Sequence, residues 1–505
     1  MAMKNTIETS RQAKNCRRGV LFLCLIGGLR IFFFSAVFPF FNNVDETSHF
    51  DLVYKYSQGH FPRSAIERFD RLPIEMVILY GSPEYFKTAE QLQDNFPPPL
   101  WTQQSARQSK EFADIVENFK NFPDFEAGSP PVYYFAAGIW YNIGAALGLS
   151  GGLLLYWIRF LNVPIFMALV WLSWRAAQIC FSDARQQLAV PLLMAFFPQD
   201  IFYSINADVL SPLLFAILFI MLLRIYFENK SLLYHLLAGL TAAAVFLTRM
   251  PNIAVPVLIL AILILKIRTL RKENLLGRNL TKLCVMSAAA AIPVGLWLIR
   301  NYFVLGNLTG SADKIKFLGW TVKPFNQLWN HPIFTASGLS YFLAELTRTF
   351  WRGEFVWYFE RLAWAPADLF YVASSAIFLT ACLIGIVRNR QKRNQQYRFA
   401  VAMSFLAIGV SVLLLAVSAI FYDFHNCWEP SRAKPFFTSG RIISSVLLPF
   451  LLVYIDGLRR IFQRFRGPAI ILIVMLIVIG ITLSELWLIR NVITSPYNWF
   501  GLFYN

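Results

Sequence analysis

The chain has 505 residues, of which 57% are apolar and only 15% are charged, whereas soluble proteins carry roughly 25% charged residues. A water-soluble surface could not cover so many long apolar runs, so the composition argues against a soluble multidomain enzyme. The formal net charge of +17 makes nucleic-acid binding an alternative, which the positions of the basic residues decide.

Eleven apolar segments are long enough to cross a bilayer as helices, which takes about 20 residues each. They lie at residues 19–41, 152–176, 187–204, 206–228, 231–248, 252–268, 282–303, 366–388, 399–421, 440–458 and 467–489. The first has no small-residue cleavage site, so we interpret it as a retained anchor rather than a signal peptide. The sequence therefore predicts an all-α polytopic membrane protein with a single integral domain, residues 1–505.

Segment 131–148 is also apolar, but it carries three tyrosines and an asparagine. If it does not cross, 24 of the basic residues fall on the side of the N-terminus, which the positive-inside rule makes cytoplasmic. We therefore predict an interfacial helix on the outer surface at 131–148. The basic residues then serve as topology signals, and no nucleic-acid partner is expected.

Two predicted outer loops, 42–151 and 304–365, are too long to be mere connectors. The first contains fourteen acidic and eight basic residues, so it is acidic within a strongly basic chain. Its prolines favour a series of short helices rather than a sheet. We expect functional side chains in this loop.

A charged segment, residues 43–51, follows directly after the first span. Its adjacent carboxylates, Asp45 and Glu46, are costly to place at a membrane surface, and His49 lies on the same helical face. Asp45 or Glu46 is a candidate general base, and His49 a candidate substrate-binding residue. The alternative is that Asp45 or Thr47 caps a surface helix.

Asp208 is a second candidate acid, predicted on the same face of the membrane as Asp45. Two carboxylates beside one cavity would allow one to act as a general base while the other orients a substrate or a metal ion. The alternative is again a helix cap for the following span.

Three arginines, Arg249, Arg300 and Arg441, lie at predicted outer ends of spans, where the positive-inside rule disfavours them. Together they would suit the phosphate or diphosphate of a lipid carrier, while snorkelling to lipid headgroups is the alternative. Histidines and cysteines show no metal-ligand spacing, so no metal site is predicted. A divalent metal cofactor stays open.

The order of these features resembles the GT-C superfamily, polytopic glycosyltransferases that use polyprenyl-phosphate-linked sugars. The motifs that carry the resemblance are Asp45-Glu46 with His49-Phe50, Pro130-Pro131-Val132-Tyr133-Tyr134, Arg159-Phe160-Leu161-Asn162, Pro198-Gln199, Asn206-Ala207-Asp208, Leu247-Thr248-Arg249, Arg300-Asn301-Tyr302 with Gly306-Asn307, Phe350-Trp351-Arg352-Gly353 and Ser439-Gly440-Arg441. The chain departs from the common pattern at Arg249, where relatives often have lysine, and at Ile442, where they often have tyrosine.

The resemblance implies that Asp45 is a catalytic base or acceptor ligand, that Asp208 lies beside the active cavity, and that Arg249 contacts the lipid phosphate. Tyr133, which opens the interfacial helix, joins His49 as a candidate substrate-binding residue.

We therefore expect a glycosyltransferase of the bacterial inner membrane, with a cytoplasmic N-terminus and an outer active site. It would move a sugar, with inversion as the resemblance implies, from a polyprenyl-phosphate carrier to a hydroxyl of a glycan, lipid or protein. A carboxylate would act as base and arginine would stabilise the departing phosphate. A transporter or flippase, and a polymerase of lipid-linked saccharides, are the alternatives.

Overall fold

The computed structural model describes most of the chain. The described residues are 2–41, 45–65, 67–85, 87–92, 97–103, 105, 109–358, 360–388, 395–425, 430–463 and 469–503, with backbone alone for 2–13, 85, 89 and 92. Asn43 and Val44 of the predicted site segment lie outside the described residues.

The described residues are mainly helical, in agreement with the predicted class. The α-helices in chain order are α1 (Ala2–Val37), α2 (Glu46–Ser57), α3 (Arg71–Tyr80), α4 (Ala89–Leu92), α5 (Lys110–Phe119), α6 (Val132–Ala146), α7 (Gly151–Phe160), α8 (Asn162–Cys180), α9 (Ala184–Ala195), α10 (Leu210–Phe227), α11 (Leu232–Phe246), α12 (Ala254–Lys272), α13 (Leu276–Leu305), α14 (Ala312–Phe317), α15 (Ala336–Arg352), α16 (Ala365–Arg388), α17 (Gln395–Phe421), α18 (Leu447–Ile461) and α19 (Ala469–Ile489).

Among the described residues, four two-residue strands form two small antiparallel pairs. They are β1 (Thr321–Val322), which pairs with β4 (Tyr422–Asp423), and β2 (Val356–Trp357), which pairs with β3 (Glu360–Arg361). The first pair matters most for the architecture, because it joins the second long loop to the end of α17.

Eight segments of the described chain are long and apolar enough to cross a membrane. They are Lys14–Val37, Gly151–Cys180, Ala207–Phe227, Leu276–Leu305, Ala365–Arg388, Gln395–Phe421, Gly440–Ile461 and Ala469–Ile489. Each overlaps one of the eleven predicted spans, so the chain is an integral membrane protein with at least this set of candidate spans. The count of eleven is not confirmed.

The other three predicted spans correspond to helices that do not meet this criterion. Segment 187–204 holds the 12-residue α9, which ends before Pro198, and 231–248 holds the 15-residue α11. Segment 252–268 is helical in α12, but its last two turns carry four basic residues. Hydropathy counts apolar residues whether or not they continue one helix, so it predicts full spans in these regions.

Helix α18 lies at the centre of the bundle. In the most apolar 18-residue stretch of its candidate span, 94% is buried. The corresponding share in α13, which lies at the periphery, is 17%. α18 packs on α16 and α17, while α1 packs on α8 and α9, and α11 packs on α13. Gly457 permits the close crossing of α16 and α18, because a Cβ atom there would lie 1.8 Å from the Phe378 carbonyl oxygen.

Gly457→Ala should therefore separate α16 from α18 and destabilise the protein by about 1–3 kcal/mol, the usual cost of overpacking. The measurement is the apparent melting temperature of the purified protein in detergent. Gly480→Ala on α19 is the matched control, because no atom lies within 4 Å of its added Cβ. Equal melting temperatures for the two variants would contradict this packing.

Candidate functional site

A group of charged side chains lies where residues 45–151 and the loop after α13 meet the ends of α10, α11 and α18. This group, the charge cluster, consists of Asp45, Glu126, Asp208, Arg249, Lys314, Glu354 and Arg441. Its members come from distant parts of the sequence, so only the folded chain brings them together.

Arg441 is the centre of the charge cluster. Its Nη2 donates to Asp45 Oδ2 at 2.8 Å, while its Nη1 lies 3.8 Å from Asp208 Oδ2 and its Nε lies 3.5 Å from Glu354 Oε2. The arginine side chain is only 8% exposed. It therefore does not snorkel to the membrane surface, but balances three carboxylates in a largely dry environment.

Arg249 makes the second set of contacts. Its Nε and Nη2 donate to the two carboxylate oxygens of Asp208 at 2.5 and 3.1 Å, a bidentate pair, and its Nη1 lies 3.4 Å from Glu126 Oε2. Lys314 reaches the other Glu126 oxygen at 2.5 Å. The Lys314–Glu126 pair joins the two long loops that were predicted as 42–151 and 304–365.

Local backbone structure positions the two predicted acids. Asp45 has a left-handed conformation, with φ of +66°, and its side chain accepts no capping hydrogen bond from α2. Before α10 the cap is Asn206, whose side chain accepts from the Asp208 N–H at 2.8 Å. Asp45 thus occupies the N-cap position of α2 without a capping side-chain hydrogen bond, and the side chain of Asp208 does not cap α10.

The end of α15 positions Arg441. Thr349 Oγ1 donates to the Thr438 carbonyl at 2.5 Å and accepts from the Gly440 N–H at 3.0 Å. Gly440 allows this approach, because a Cβ there would lie 2.1 Å from the Phe350 nitrogen. Gln199 holds the same helix end by donating to the Phe350 carbonyl at 2.7 Å.

Glu46 has different surroundings from Asp45, although the two are adjacent in sequence. Arg159 donates to both Glu46 carboxylate oxygens, at 2.8 and 2.7 Å, and the backbone N–H groups of Phe41 and Ile205 donate to the same oxygens at 2.8 and 2.9 Å. Both charged side chains are fully buried. These contacts favour a structural role for Glu46 over the predicted catalytic one.

His49 and Tyr133 lie beside the charge cluster in the interior. The His49 Nδ1 atom is 2.7 Å from the Tyr134 hydroxyl, and its buried Nε2 atom has no hydrogen-bond partner among the described residues. Tyr133 is 1% exposed and its ring lies edge-on to that of Tyr134. Because both side chains are buried, a substrate would reach them only if the surrounding residues moved apart.

Arg300 is not part of the charge cluster. Its guanidinium group donates to the Pro62 carbonyl oxygen and to Asn301, and lies 4.9 Å from the ring centre of Trp297. Its predicted role in phosphate binding therefore has no support from these contacts.

The surroundings shift the pKa values of two acids of the charge cluster, Asp45 and Glu126. Partial removal from water alone would raise the pKa of Asp45, but Lys314 and Arg441 outweigh this effect and lower that pKa to about 2. Glu126 is buried, yet Lys314 and Arg249 hold its pKa well below the usual range. Both groups are ionised at neutral pH, and Asp45, at 31% exposure, is much more accessible than Glu126 or Asp208, at 2% each.

Three members of the charge cluster were not singled out from the sequence: Glu126, Lys314 and Glu354. Glu126 and Glu354 lie in irregular segments, and Lys314 lies in the six-residue α14, which is too short to show a hydrophobic periodicity. The only available signal for Glu126 was the excess of acids in the first loop. No group of three or more His, Cys, Asp or Glu side chains in the described part of the chain is arranged to hold a metal ion.

Comparisons with known proteins show one family, and the solved structures that match include two distant ones. The model of a family described as "Predicted membrane protein (DUF2142)" matches residues 26–422. The oligosaccharyltransferase of Archaeoglobus fulgidus in complex with zinc and sulfate is 12% identical with a TM-score of 0.37, covering 73% of this chain and 45% of that one. The oligosaccharyltransferase AglB from the same organism, in complex with an inhibitory peptide and a dolichol-phosphate, is 10% identical with a TM-score of 0.41, covering 95% and 56%. This chain thus spans about half the length of either structure, and no curated protein matches it.

Glu46→Gln should destabilise the protein by about 3–5 kcal/mol, because it leaves the buried Arg159 without its counter-ion. Asp45→Asn should cost far less, since Asp45 is partly exposed and Arg441 keeps two other carboxylates nearby. Apparent melting temperatures in detergent measure the difference. A larger fall in melting temperature for Asp45→Asn than for Glu46→Gln would show that Asp45, rather than Glu46, has the structural role.

His49 should make stability depend on pH. Burial lowers its pKa from 6.5 to about 4, so between these values the unfolded chain binds a proton that the folded chain does not. The melting temperature should therefore fall as the pH falls from 6.5 towards 4, and it should fall less in His49→Asn. Parallel pH profiles for the two proteins would show that His49 is not buried in the neutral form.

Proposed function

The chain belongs to the DUF2142 family of predicted membrane proteins, and we propose that it is a glycosyltransferase whose active site is the charge cluster. It would transfer a sugar from a polyprenyl-phosphate carrier to an acceptor hydroxyl. The observation that carries the proposal is the convergence of Asp45, Asp208, Arg249 and Arg441 beside the ends of membrane spans. Carboxylates can accept a proton there, and guanidinium groups can bind a phosphate at the level of lipid headgroups.

The proposed reaction uses three of these residues directly: Asp45, Arg249 and Arg441. The acceptor oxygen attacks the anomeric carbon and forms the new glycosidic bond, while the bond from that carbon to the phosphate oxygen breaks. The departing lipid phosphate keeps the electron pair, and Arg249 and Arg441 stabilise its charge. Asp45 takes the proton of the acceptor hydroxyl, and attack from the side opposite the phosphate would invert the anomeric carbon.

Asp45 is the carboxylate best placed to be the base, because it is the most exposed acid of the charge cluster. With a pKa of about 2 it is ionised but weakly basic in this state. A donor phosphate that competes for Arg441 and Lys314 would weaken their hold on Asp45 and raise its pKa. Donor binding would thus increase the basicity of the residue that acts next.

Asp208 and Glu126 are better suited to hold the cations than to accept a proton. Asp208 accepts hydrogen bonds from two nitrogens of the Arg249 guanidinium group, and Glu126 contacts both Arg249 and Lys314. Such fixed partners keep a guanidinium group in one orientation before the substrate arrives. We therefore propose that both acids position the phosphate-binding residues.

The proposed setting is the outer face of a bacterial inner membrane, with the N-terminus in the cytoplasm. The prenyl chain would lie among the spans, and the acceptor would be a glycan, a lipid or a protein. A polymerase of lipid-linked saccharides would use the same groups in the same way.

A transporter for lipid-linked saccharides is the second candidate, because an ion pair joins two of the described spans. Arg30 on α1 pairs with Glu485 on α19, and the Tyr203 hydroxyl donates to Glu485 at 2.7 Å. Ionisable groups inside a membrane often mark transport pathways. Here the two charges neutralise each other, which favours a structural role for the pair.

Asp45→Asn should lower turnover by roughly 10²–10⁴-fold, the usual contribution of a general base. A suitable assay is restoration of the missing glycan in a host strain that lacks the gene, followed by turnover with the donor so identified. Asp114→Asn makes the same chemical change at an exposed position in the same loop and should restore fully. Full activity of Asp45→Asn would exclude Asp45 as the base.

Arg249→Gln should lower turnover by roughly 10²–10³-fold, because a preorganised charge opposite the leaving phosphate is lost. Arg249→Lys should retain more activity than Arg249→Gln, since lysine keeps the positive charge although it cannot make a bidentate contact. Arg300→Gln should stay near the wild type, as Arg300 lies outside the charge cluster. Equal losses for Arg249→Gln and Arg300→Gln would show that the phosphate does not bind at Arg249.

A further inference from the structure

Three aromatic side chains of the second long loop are turned away from the protein. These residues are Phe325, Trp329 and Phe334, with exposures of 74%, 66% and 54%. We call them the aromatic edge. The three rings are neighbours, since the Trp329 ring lies 6.4 Å from Phe325 and 5.8 Å from Phe334 between centres. They form one continuous exposed apolar surface rather than scattered single residues.

The aromatic edge is held firmly from its inner side. Leu328 and Ile333 alternate with the exposed rings and are buried. His331 is also buried, with its Nε2 2.8 Å from the Pro435 carbonyl oxygen and its Nδ1 accepting from the Ile333 N–H at 3.1 Å. The exposed rings are therefore presented by an anchored turn.

The strand pair that joins β1 to β4 determines where this turn lies. Strand β4 begins directly after Phe421, the last residue of the candidate span α17, and the Lys323 N–H donates to the Phe421 carbonyl at 2.8 Å. The aromatic edge starts two residues later, and its first turn packs against α17. The exposed rings thus lie at the depth where a membrane span ends.

We propose that the aromatic edge inserts into the headgroup region of the membrane leaflet at which α17 ends. Aromatic side chains, tryptophan above all, are favoured at this boundary between lipid and water. The positive charge of the surrounding segment also favours contact with lipid headgroups. Residues 315–344 contain two lysines, Lys316 and Lys323, and no acidic residue, which suits lipid phosphates.

Helix α15 continues this surface. Phe342, Leu346 and Phe350 face the protein, whereas Leu339 and Leu343 are 46% and 44% exposed on the other face. The first half of α15 therefore presents apolar side chains beside the aromatic edge. Insertion of both would fix the height of the second long loop above the bilayer, independently of the reaction at the charge cluster.

Quenching of tryptophan fluorescence by brominated lipids tests the proposal on the full-length protein. The protein is placed in phosphatidylcholine nanodiscs with bromine either near the headgroup or near the chain end. The chain has 14 tryptophans, so the difference between the wild type and Trp329→Phe gives the Trp329 signal. Trp329 is exposed, and phenylalanine preserves an aromatic ring, so this variant should fold.

Bromine near the headgroup should quench the Trp329 fluorescence strongly. Bromine near the chain end should quench it less. Trp487→Phe, on a lipid-facing position of the span α19, is the positive control. Trp101→Phe, whose ring stacks on Tyr80 in the first long loop, is the negative control. A Trp329 signal that neither lipid quenches would overturn the proposal. If acrylamide also failed to quench it, a protein partner or a second copy would cover the aromatic edge instead.

Discussion

Pairing of opposite charges out of water is the constraint on which this structure depends. A carboxylate or guanidinium group that leaves water loses several kcal/mol of hydration, and a close partner of opposite charge must offset that loss. In the charge cluster every acid lies within 4.0 Å of a cation, and Arg441 alone lies that close to three acids. Loops, spans and the end of α15 must therefore meet at one place for any of these charges to be stable.

The same constraint separates two neighbouring acids. Glu46 has a complete set of partners in Arg159 and two backbone N–H groups, so its contacts are those of a residue that holds the fold together. Asp45 has a left-handed backbone conformation, shares Arg441 with two other acids, and keeps part of its surface exposed. In the proposed reaction, this less completely paired acid is the one that would meet the acceptor.

The sequence predicted the membrane class and two aspartates and two arginines of the charge cluster, and the reasons are physical. Span ends can be located from hydropathy, and charged residues at those ends carry an energetic cost that makes them conspicuous. Glu126 and Glu354 lie in irregular loops and Lys314 lies in the six-residue α14, where no periodicity indicates which side chains face inward. Sequence adjacency likewise suggested that Glu46 could replace Asp45, since a positive φ at a non-glycine residue leaves no signal in the sequence.

Electron cryomicroscopy of the full-length protein in nanodiscs with an added polyprenyl phosphate tests the central claim most directly. The account predicts phosphate density within hydrogen-bonding distance of Arg249 or Arg441, with the Asp45 carboxylate facing the adjoining space. Phosphate density bound away from these arginines, or Asp45 and Arg249 at opposite ends of the helix bundle, would contradict it.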